Sequence, residues 1–392
     1  MERVILHCDL NNFFASVTLL ENQTLKNLPV AICGNKEERH GIVLAKNEAA
    51  KKFGVKTAEA IWEAQAKCPE LIILPPNYKK YQEYSSAARD IYRRYTDLIE
   101  PFGIDECWLD VTGSRLLFGD GEQIAQRIRK EIKDELGITV SVGVSFNKVF
   151  AKLGSDYKKP DAVTVISREN FKDLVWNMPV GDLLFVGKNT AARLNSSAVF
   201  TIGDLALCDD RAVERLLGKN GRELKSYALG EDNSPVSPDN ATHTPKSIGR
   251  SVTTPTDITS PQQVWKIFLE LAEDISRQLR EHGLFAGSIT VHTRTSTLKV
   301  QEFSHCLDFP TAISMIIAKK GMELFKKNYN WQLPLRSVGL RVTRLTDNLC
   351  GIQQDLFGES DDRQKLEAVE NSLFNIRKKF GKDSIVRGRS LD

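Results

Sequence analysis

Phe102-Gly103-Ile104-Asp105-Glu106-Cys107-Trp108-Leu109-Asp110 reads as extended chain with two adjacent carboxylates at its entrance. Neighbouring residues on a regular strand point to opposite faces, so Asp105 and Glu106 can serve one site only at a hairpin tip or a bulge. Gly103 supplies such a bend. Upstream, Val4 to Leu10 reads as a buried strand that carries its own acid, Asp9, near its end. Asn12-Phe13-Phe14-Ala15-Ser16-Val17 then opens a helix. Downstream, Ile124, Ile128, Ile132 and Leu136 recur every four residues on a helix that Gly137 can end. Ile138, Val140, Val142 and Val144 alternate with smaller or polar residues, the period of a half-buried strand. Strands and amphipathic helices alternate here without the Gly-rich phosphate loop of a dinucleotide fold, which points to an α+β sandwich.

Outward from this block the chain changes character twice. Residues 170–230 read as short helices punctuated by Gly187, Gly203, Gly218 and Gly221. Asp232-Asn233-Ser234-Pro235-Val236-Ser237-Pro238-Asp239-Asn240, continuing to Pro245, has the composition of a linker. A second α+β unit follows. Its first helix carries Val264, Ile267, Phe268, Leu271, Ile275 and Leu279 on one stripe and stops at Gly283. Strand patterns at Ile289-Val291 and Val338-Leu340-Val342 flank a helix around Ile313 to Phe325, in the order β-α-β-β-α-β. From about Thr346 a polar stretch leads to a last helix with Leu366, Val369, Leu373 and Ile376 on one face.

Charge and cysteines narrow the function classes. The 392 residues carry a formal charge of +3, but residues 241–345 hold 14 Lys+Arg against 8 Asp+Glu, so one unit is basic and the remainder slightly acidic. That is the asymmetry expected of a phosphate-contacting domain. The seven cysteines are scattered and never form CxxC, which argues against a disulfide framework or a zinc site and for a reducing cytoplasm. The apolar run Val4-Ile5-Leu6 is too short for a targeting signal, and no stretch approaches the roughly 20 apolar residues of a membrane span.

Carboxylate oxygens are the ligands Mg²⁺ prefers, beside water and substrate phosphates. An arbitrary Asp-Glu pair is more often a solvated surface feature, and it is the joint pattern that decides here. Cys8-Asp9-Leu10-Asn11-Asn12-Phe13-Phe14-Ala15-Ser16-Val17, Ile104-Asp105-Glu106-Cys107-Trp108-Leu109-Asp110, and Ser141-Val142-Gly143-Val144-Ser145-Phe146-Asn147-Lys148-Val149-Phe150-Ala151-Lys152, continuing to Lys159-Pro160, stand in order along the chain. Together they closely resemble three motifs of the Y-family DNA polymerases, in the DinB or DNA polymerase IV branch, and the resemblance covers residues 1–357.

The resemblance implies a right-hand polymerase of α+β class. A ferredoxin-like palm would span 1–11 and 77–166, small fingers 12–76, a helix-hairpin-helix thumb 167–231, a linker 232–245, an α+β little finger 246–345, and a tail 346–392. It implies template-directed, low-fidelity lesion-bypass synthesis from deoxynucleotides on primer-template DNA, without a proofreading domain, by a cytoplasmic monomer. Asp9, Asp105 and Glu106, with the Leu10 carbonyl, would hold two Mg²⁺ ions, which Mn²⁺ can replace. Such a pair clamps the attacking 3′-oxygen and the leaving pyrophosphate oxygen of an in-line displacement.

By the same resemblance Phe14 is a steric gate against the ribose 2′-hydroxyl. Phe13, Lys51 and Lys159 are placed at the triphosphate, although Phe13 also has the pattern of a core aromatic. Ile42 and Leu44 form the roof over the nascent base pair. Val186, Gly187 and Lys188 of the thumb hairpin, with Lys246, Arg250, Arg294, Lys299, Arg336 and Arg341, are DNA-contact candidates. Gln353-Gln354-Asp355-Leu356-Phe357 resembles the pentapeptide that binds the bacterial sliding clamp (β subunit), with Gln353, Leu356 and Phe357 as its anchors.

The chain departs from the family pattern at several positions. Glu48 stands for the usual Tyr and Lys51 for the usual Arg, which trades a bidentate guanidinium for a point charge. Asn11 stands where many relatives carry an acid, and Ile42 and Leu44 are bulkier than usual. Two rival readings remain at this point. A nucleotide cyclase on a similar palm also needs paired acids, but not a basic domain or clamp peptide. A catalytically silent clamp-bound DNA-binding protein would not need all three acids.

Overall fold

The computed structural model describes residues 2–35, 41–239, 244–347, 359–381 and 384–385. They form two compact units, Met1–Gly34 with Gly41–Ala241 and Asn35–His40 with Thr242–Asp392.

The described strands of the first unit are β1 (Ile5–Leu10), β2 (Val30–Cys33), β3 (Val43–Lys46), β4 (Ile72–Leu74), β5 (Ile99–Pro101), β6 (Glu106–Asp110), β7 (Val140–Ser145) and β8 (Val163–Ile166). Five of them make one sheet in the order β5-β6-β1-β7-β8. With the helices Tyr78–Tyr92 and Gly121–Leu136 between its strands, β1, β5, β6 and β7 have the ferredoxin-like order, extended by β8 parallel to β7. The side-chain alternation of β1 explains the layering. Leu6, Cys8 and Leu10 face one way into a core with Tyr81, Tyr92, Ile124, Ile128 and Ile132. Ile5, His7 and Asp9 face the other way, toward the helix Lys148–Tyr157.

Local sequence sets the helix ends. Asp120 accepts from the Gln123 N–H and Gln123 returns the bond, a capping box, while Gly137 closes the helix at φ 69°. Gly143 of β7 lies under the helix Lys148–Tyr157, where a Cβ would fall 1.9 Å from the Ala151 carbonyl oxygen and 2.4 Å from the Ser155 nitrogen. These are backbone atoms that cannot step aside, so Gly143→Ala is expected to lower stability by about 3 kcal/mol or more, read as a fall in melting temperature.

A smaller sheet, β3-β2-β4, packs on a core of small residues that includes Ala31, Val43, Ala50, Ile61 and Ala64. The short helices over 171–228 share one core with Phe146, Phe150 and Leu153 of the palm segment. The segment that reads as a linker is tied down over its described first half. Asp232 accepts from the Lys148 N–H, the Ser237 N–H donates to Glu100, Arg93 donates to Asp239, and Val236 packs on Ile5, Trp108 and Ala151.

In the second unit β9 (Ser247–Ile258), β10 (Phe285–Thr295), β11 (Val300–Thr311) and β12 (Leu335–Thr346) form a sheet ordered β11-β10-β12-β9, with the helices Pro261–Glu281 and Ser314–Asn328 over one face. The chain order is β-α-β-β-α-β, as the hydrophobic pattern indicates. The last helix, Glu359–Phe380, docks on this unit through polar residues: Glu367 on Arg280, Glu370 on the Ser314 hydroxyl and Arg377 on Glu273. Leu366, Val369 and Ile376 stay exposed.

Candidate active site

The three acids meet where β1 and β6 end together. Asp9 and Glu106 are directly paired across the two antiparallel strands and so share a face. Asp105 lies one residue before β6, in the turn from β5 that begins at Gly103, φ 100°. Its carbonyl accepts from the Leu10 N–H at 3.1 Å, which pins the turn to the last residue of β1. The acids therefore converge at a hairpin bend, as Gly103 indicates.

Two ammonium groups lie against them. Lys152 Nζ is 3.1 Å from Asp9 Oδ2, 2.9 Å from Glu106 Oε2 and 3.1 Å from Asp156 Oδ2. Lys159 Nζ is 2.7 Å from Asp9 Oδ2 and 2.8 Å from Asp156 Oδ1. Burial, then the negative charges of Asp9 and Glu106, push the Asp105 carboxyl up to about 6. Burial would also raise Glu106, but the facing His7 ring and the Lys152 charge outweigh it and hold this carboxyl well below the usual range.

Among the described residues no three His, Cys, Asp and Glu side chains are gathered tightly enough to grip an ion as they stand. The donor set nevertheless fits a hard divalent cation. It is all oxygen, it crowds negative charge enough to raise Asp105, and a dication relieves that crowding better than the lysines do.

On the helix Phe13–Glu21 that follows β1, Phe14 lies flat on Tyr81, with ring centres 4.1 Å apart and planes 8° apart, and Tyr78 meets it edge-on at 5.7 Å. Tyr81 is itself held by a hydrogen bond between its hydroxyl and Thr18 at 2.9 Å. Phe13 points the other way into the core and is almost wholly buried, so only its backbone is free to meet a phosphate.

Residues 8–156 match the model of the impB/mucB/samB family, and residues 245–356 match its C-terminal domain. A protein of Acetivibrio thermocellus named DNA polymerase IV is 50% identical over 99% of this chain and 97% of its own length. The chain belongs to the Y family of DNA polymerases, in its DNA polymerase IV branch. DNA polymerase IV 1 of Bacillus subtilis is 36% identical over 99% of this chain and 93% of its own. A solved Y-family DNA polymerase chimera has the same fold, with a TM-score of 0.77 at 23% identity over 88% of this chain and all of its own. Y-family DNA polymerases generally use divalent metal ions.

Several positions around this Y-family site are explained by the geometry. Glu48, in place of the usual Tyr, accepts from the Asn12 amide at 2.9 Å and lies 3.6 Å from the Lys51 ammonium. Lys51 is thus steered by a carboxylate rather than by a ring, and it is half exposed. Asn11 is buried and uses its whole amide. It donates to Ser141 Oγ at 2.8 Å and accepts from the Thr139 hydroxyl and the Asp161 N–H. By joining Ser141 of β7 to the Asp161 N–H, Asn11 fastens the Lys159-Pro160-Asp161 loop to the palm. Ile42 and Leu44 flank the buried Val43 and face away from the small core of the fingers, Ile42 with 42% exposure.

In the thumb Gly187 caps the helix Lys188–Asn195, whose first N–H groups are open to a ligand. Val186 has to be set aside as a phosphate donor. Its side chain is in the core and its N–H is given to the Leu183 carbonyl.

The second unit sorts its candidates by register. Thr290, His292 and Arg294 of β10 lie beside Arg341, Gly339 and Ser337 of β12 on the sheet face opposite the helices. Arg341 is paired with Glu302 at 2.9 Å. Arg250 sits opposite Leu340, on the helix side, and is held by Asp274 at 2.7 Å, which removes it from the open face. Lys246 precedes β9, Lys299 lies in the β10–β11 turn, and Arg336 lies where the β12 register shifts. Gln353, Leu356 and Phe357 fall outside the described residues. Sequence reasoning missed His7 and Lys152 as members of the site, although Lys152 stands inside a quoted motif.

Proposed function

We propose that this chain carries out template-directed, low-fidelity translesion DNA synthesis, adding nucleotides from deoxynucleoside triphosphates to the 3′-end of a primer. The observation that carries the reading is the convergence of Asp9, Asp105 and Glu106 at the joined ends of β1 and β6, with the Phe14–Tyr81 ring stack on the helix that follows β1. Two Mg²⁺ ions are the proposed occupants, held by these acids and the Leu10 carbonyl. When bound they supply charge neutralisation and a more acidic primer hydroxyl. The chain itself positions the reactants. Lys159, and Lys51 with its Glu48 partner, attract the triphosphate. The Phe13 and Phe14 backbone offers N–H groups at a helix start, and the ring of Phe14 closes the space beneath the sugar.

Gly187 and Lys188, with Arg294, Arg341, Lys246, Lys299 and Arg336, are proposed to hold the DNA by its phosphates without reading sequence. Ile42 and Leu44 press on the nascent pair from above. No helix among the described residues is long and apolar enough to cross a membrane, and we place the working enzyme in the cytoplasm as a monomer, since one chain supplies every residue of the site. Extension of a labelled primer on intact and damaged templates, with Mg²⁺ or Mn²⁺, tests the reading. A folded protein that extends neither template with either ion sinks it.

The pentapeptide Gln353–Phe357 is proposed to dock on the bacterial sliding clamp, placing Leu356 and Phe357 in an apolar pocket. With both changed to alanine, clamp-dependent extension is expected to fall about tenfold or more, because tethering sets the effective concentration on DNA. Extension without clamp stays unchanged. Equal losses with and without clamp would remove this assignment.

A further inference from the structure

His7 is wholly buried two residues before Asp9, on the face of β1 that carries the acids. Its Nε2 faces Glu106 Oε2 at 3.3 Å, and its Nδ1 lies 2.8 Å from Ser155 Oγ. Trp108 closes the ring edge-on at 5.2 Å, and Gly143, on the same face, lets the helix that bears Ser155 approach. The contact to Glu106 is long and off the line of a well-formed bond, so the buried His7 Nε2 has no complete partner, while Glu106 Oε2 is shared between the ring and the Lys152 ammonium at 2.9 Å.

What each atom can donate or accept limits the arrangement. A carboxylate only accepts, so the ring meets Glu106 favourably only with its proton on Nε2. A singly protonated ring then has a bare Nδ1, which needs a donor. Ser155 is the hydroxyl at that position, and its proton has two acceptors within 2.8 Å, His7 Nδ1 and the Lys152 carbonyl. When the serine donates to Nδ1, the ring carries its proton on Nε2 and holds Glu106; when it donates to the Lys152 carbonyl, it accepts from Nδ1–H and a bare Nε2 faces the carboxylate.

We infer that His7 is a positioning residue for the metal site. Through Nε2–H it holds one oxygen of Glu106 and leaves the other to face the cation, while Ser155 keeps the ring in the required tautomer. This rests on the metal-site reading above. Outer partners of metal-ligating groups commonly change metal affinity about 10–100-fold when removed. They do so without touching substrate.

The experiment is Mn²⁺ binding to the full-length protein, followed by the electron paramagnetic resonance of free Mn²⁺, with melting in the absence of metal as a check on folding. His7→Leu is expected to weaken binding about tenfold or more. His7→Gln, whose amide N–H can still donate, recovers most of the affinity, and Ser155→Ala falls between the two. In primer extension His7→Leu raises the Mg²⁺ concentration needed for half-maximal rate, leaves the KM for deoxynucleotide unchanged, and regains most of kcat at saturating Mg²⁺.

Asp105→Asn is the control. If it also leaves Mn²⁺ binding intact, the metal-site reading fails and takes this inference with it. If Asp105→Asn loses binding while a folded His7→Leu stays within twofold of the unmodified protein, the His7 inference alone is wrong. Should His7→Leu not fold, Ser155→Ala decides, and unchanged affinity there is equally fatal.

Discussion

Asp105→Ala is expected to abolish primer extension, with a fall in kcat of about 10⁴-fold, or roughly 5.5 kcal/mol of transition-state stabilisation. Asp105 is the acid that only the turn after Gly103 brings beside Asp9 and Glu106, so no neighbour can take its place. It is also the acid whose ionised form the surroundings oppose most visibly, through burial and the charges of Asp9 and Glu106. Removing it relieves repulsion in the metal-free protein. Melting without metal should therefore be unchanged or higher while activity is lost, and added Mg²⁺ should no longer stabilise the fold. A variant that melts much earlier instead gives Asp105 a structural part in the turn.

Phe14→Ala is expected to open the site to ribonucleotides. The ring is held between Tyr81 and Tyr78, so it cannot swing aside for a 2′-hydroxyl. Deletion of that wall should raise ribonucleotide incorporation relative to deoxynucleotide by roughly 10²–10³-fold, which corresponds to roughly 3–4 kcal/mol. Stability should drop by about 2 kcal/mol, less than for a fully buried phenylalanine, because the ring is only partly buried. Single-nucleotide insertion with matched ribo- and deoxynucleotide pairs reads the first effect and thermal melting the second. Unchanged sugar preference would assign the gate to another residue.

The acids and the strands that bear them were legible because each signal is local. A carboxylate at a strand end, a glycine beside it and an alternating apolar pattern all lie within ten residues. The helix Gly121–Leu136 shows its stripe and both caps in one stretch of chain for the same reason. His7 and Ser155 were not legible, since their relation exists only once Gly143 lets a helix lie on β1 and β7.

The segment after Asp232 misled by composition. Prolines and small polar residues describe a chain that need not pack, yet Lys148, Arg93 and Glu100 supply partners that no local pattern announces. In the last helix the apolar stripe did not tell which side packs. Glu367, Glu370 and Arg377 find partners on the second unit, so the polar side turns inward and Leu366, Val369 and Ile376 remain outside. Val186 and Arg250 fell for similar reasons, one to a neighbouring carbonyl and one to Asp274.

The stack of Phe14 on Tyr81 stands on the helices Phe13–Glu21 and Tyr78–Tyr92, in the largest core of the first unit. Ile42 and Leu44 stand on a three-stranded sheet with a small core rich in alanine. On the proposed reading, sugar identity and base-pair shape are judged by different pieces of the protein, one stiff and one slight. Natural variation can loosen or tighten tolerance for distorted templates at the slight piece while the product stays DNA.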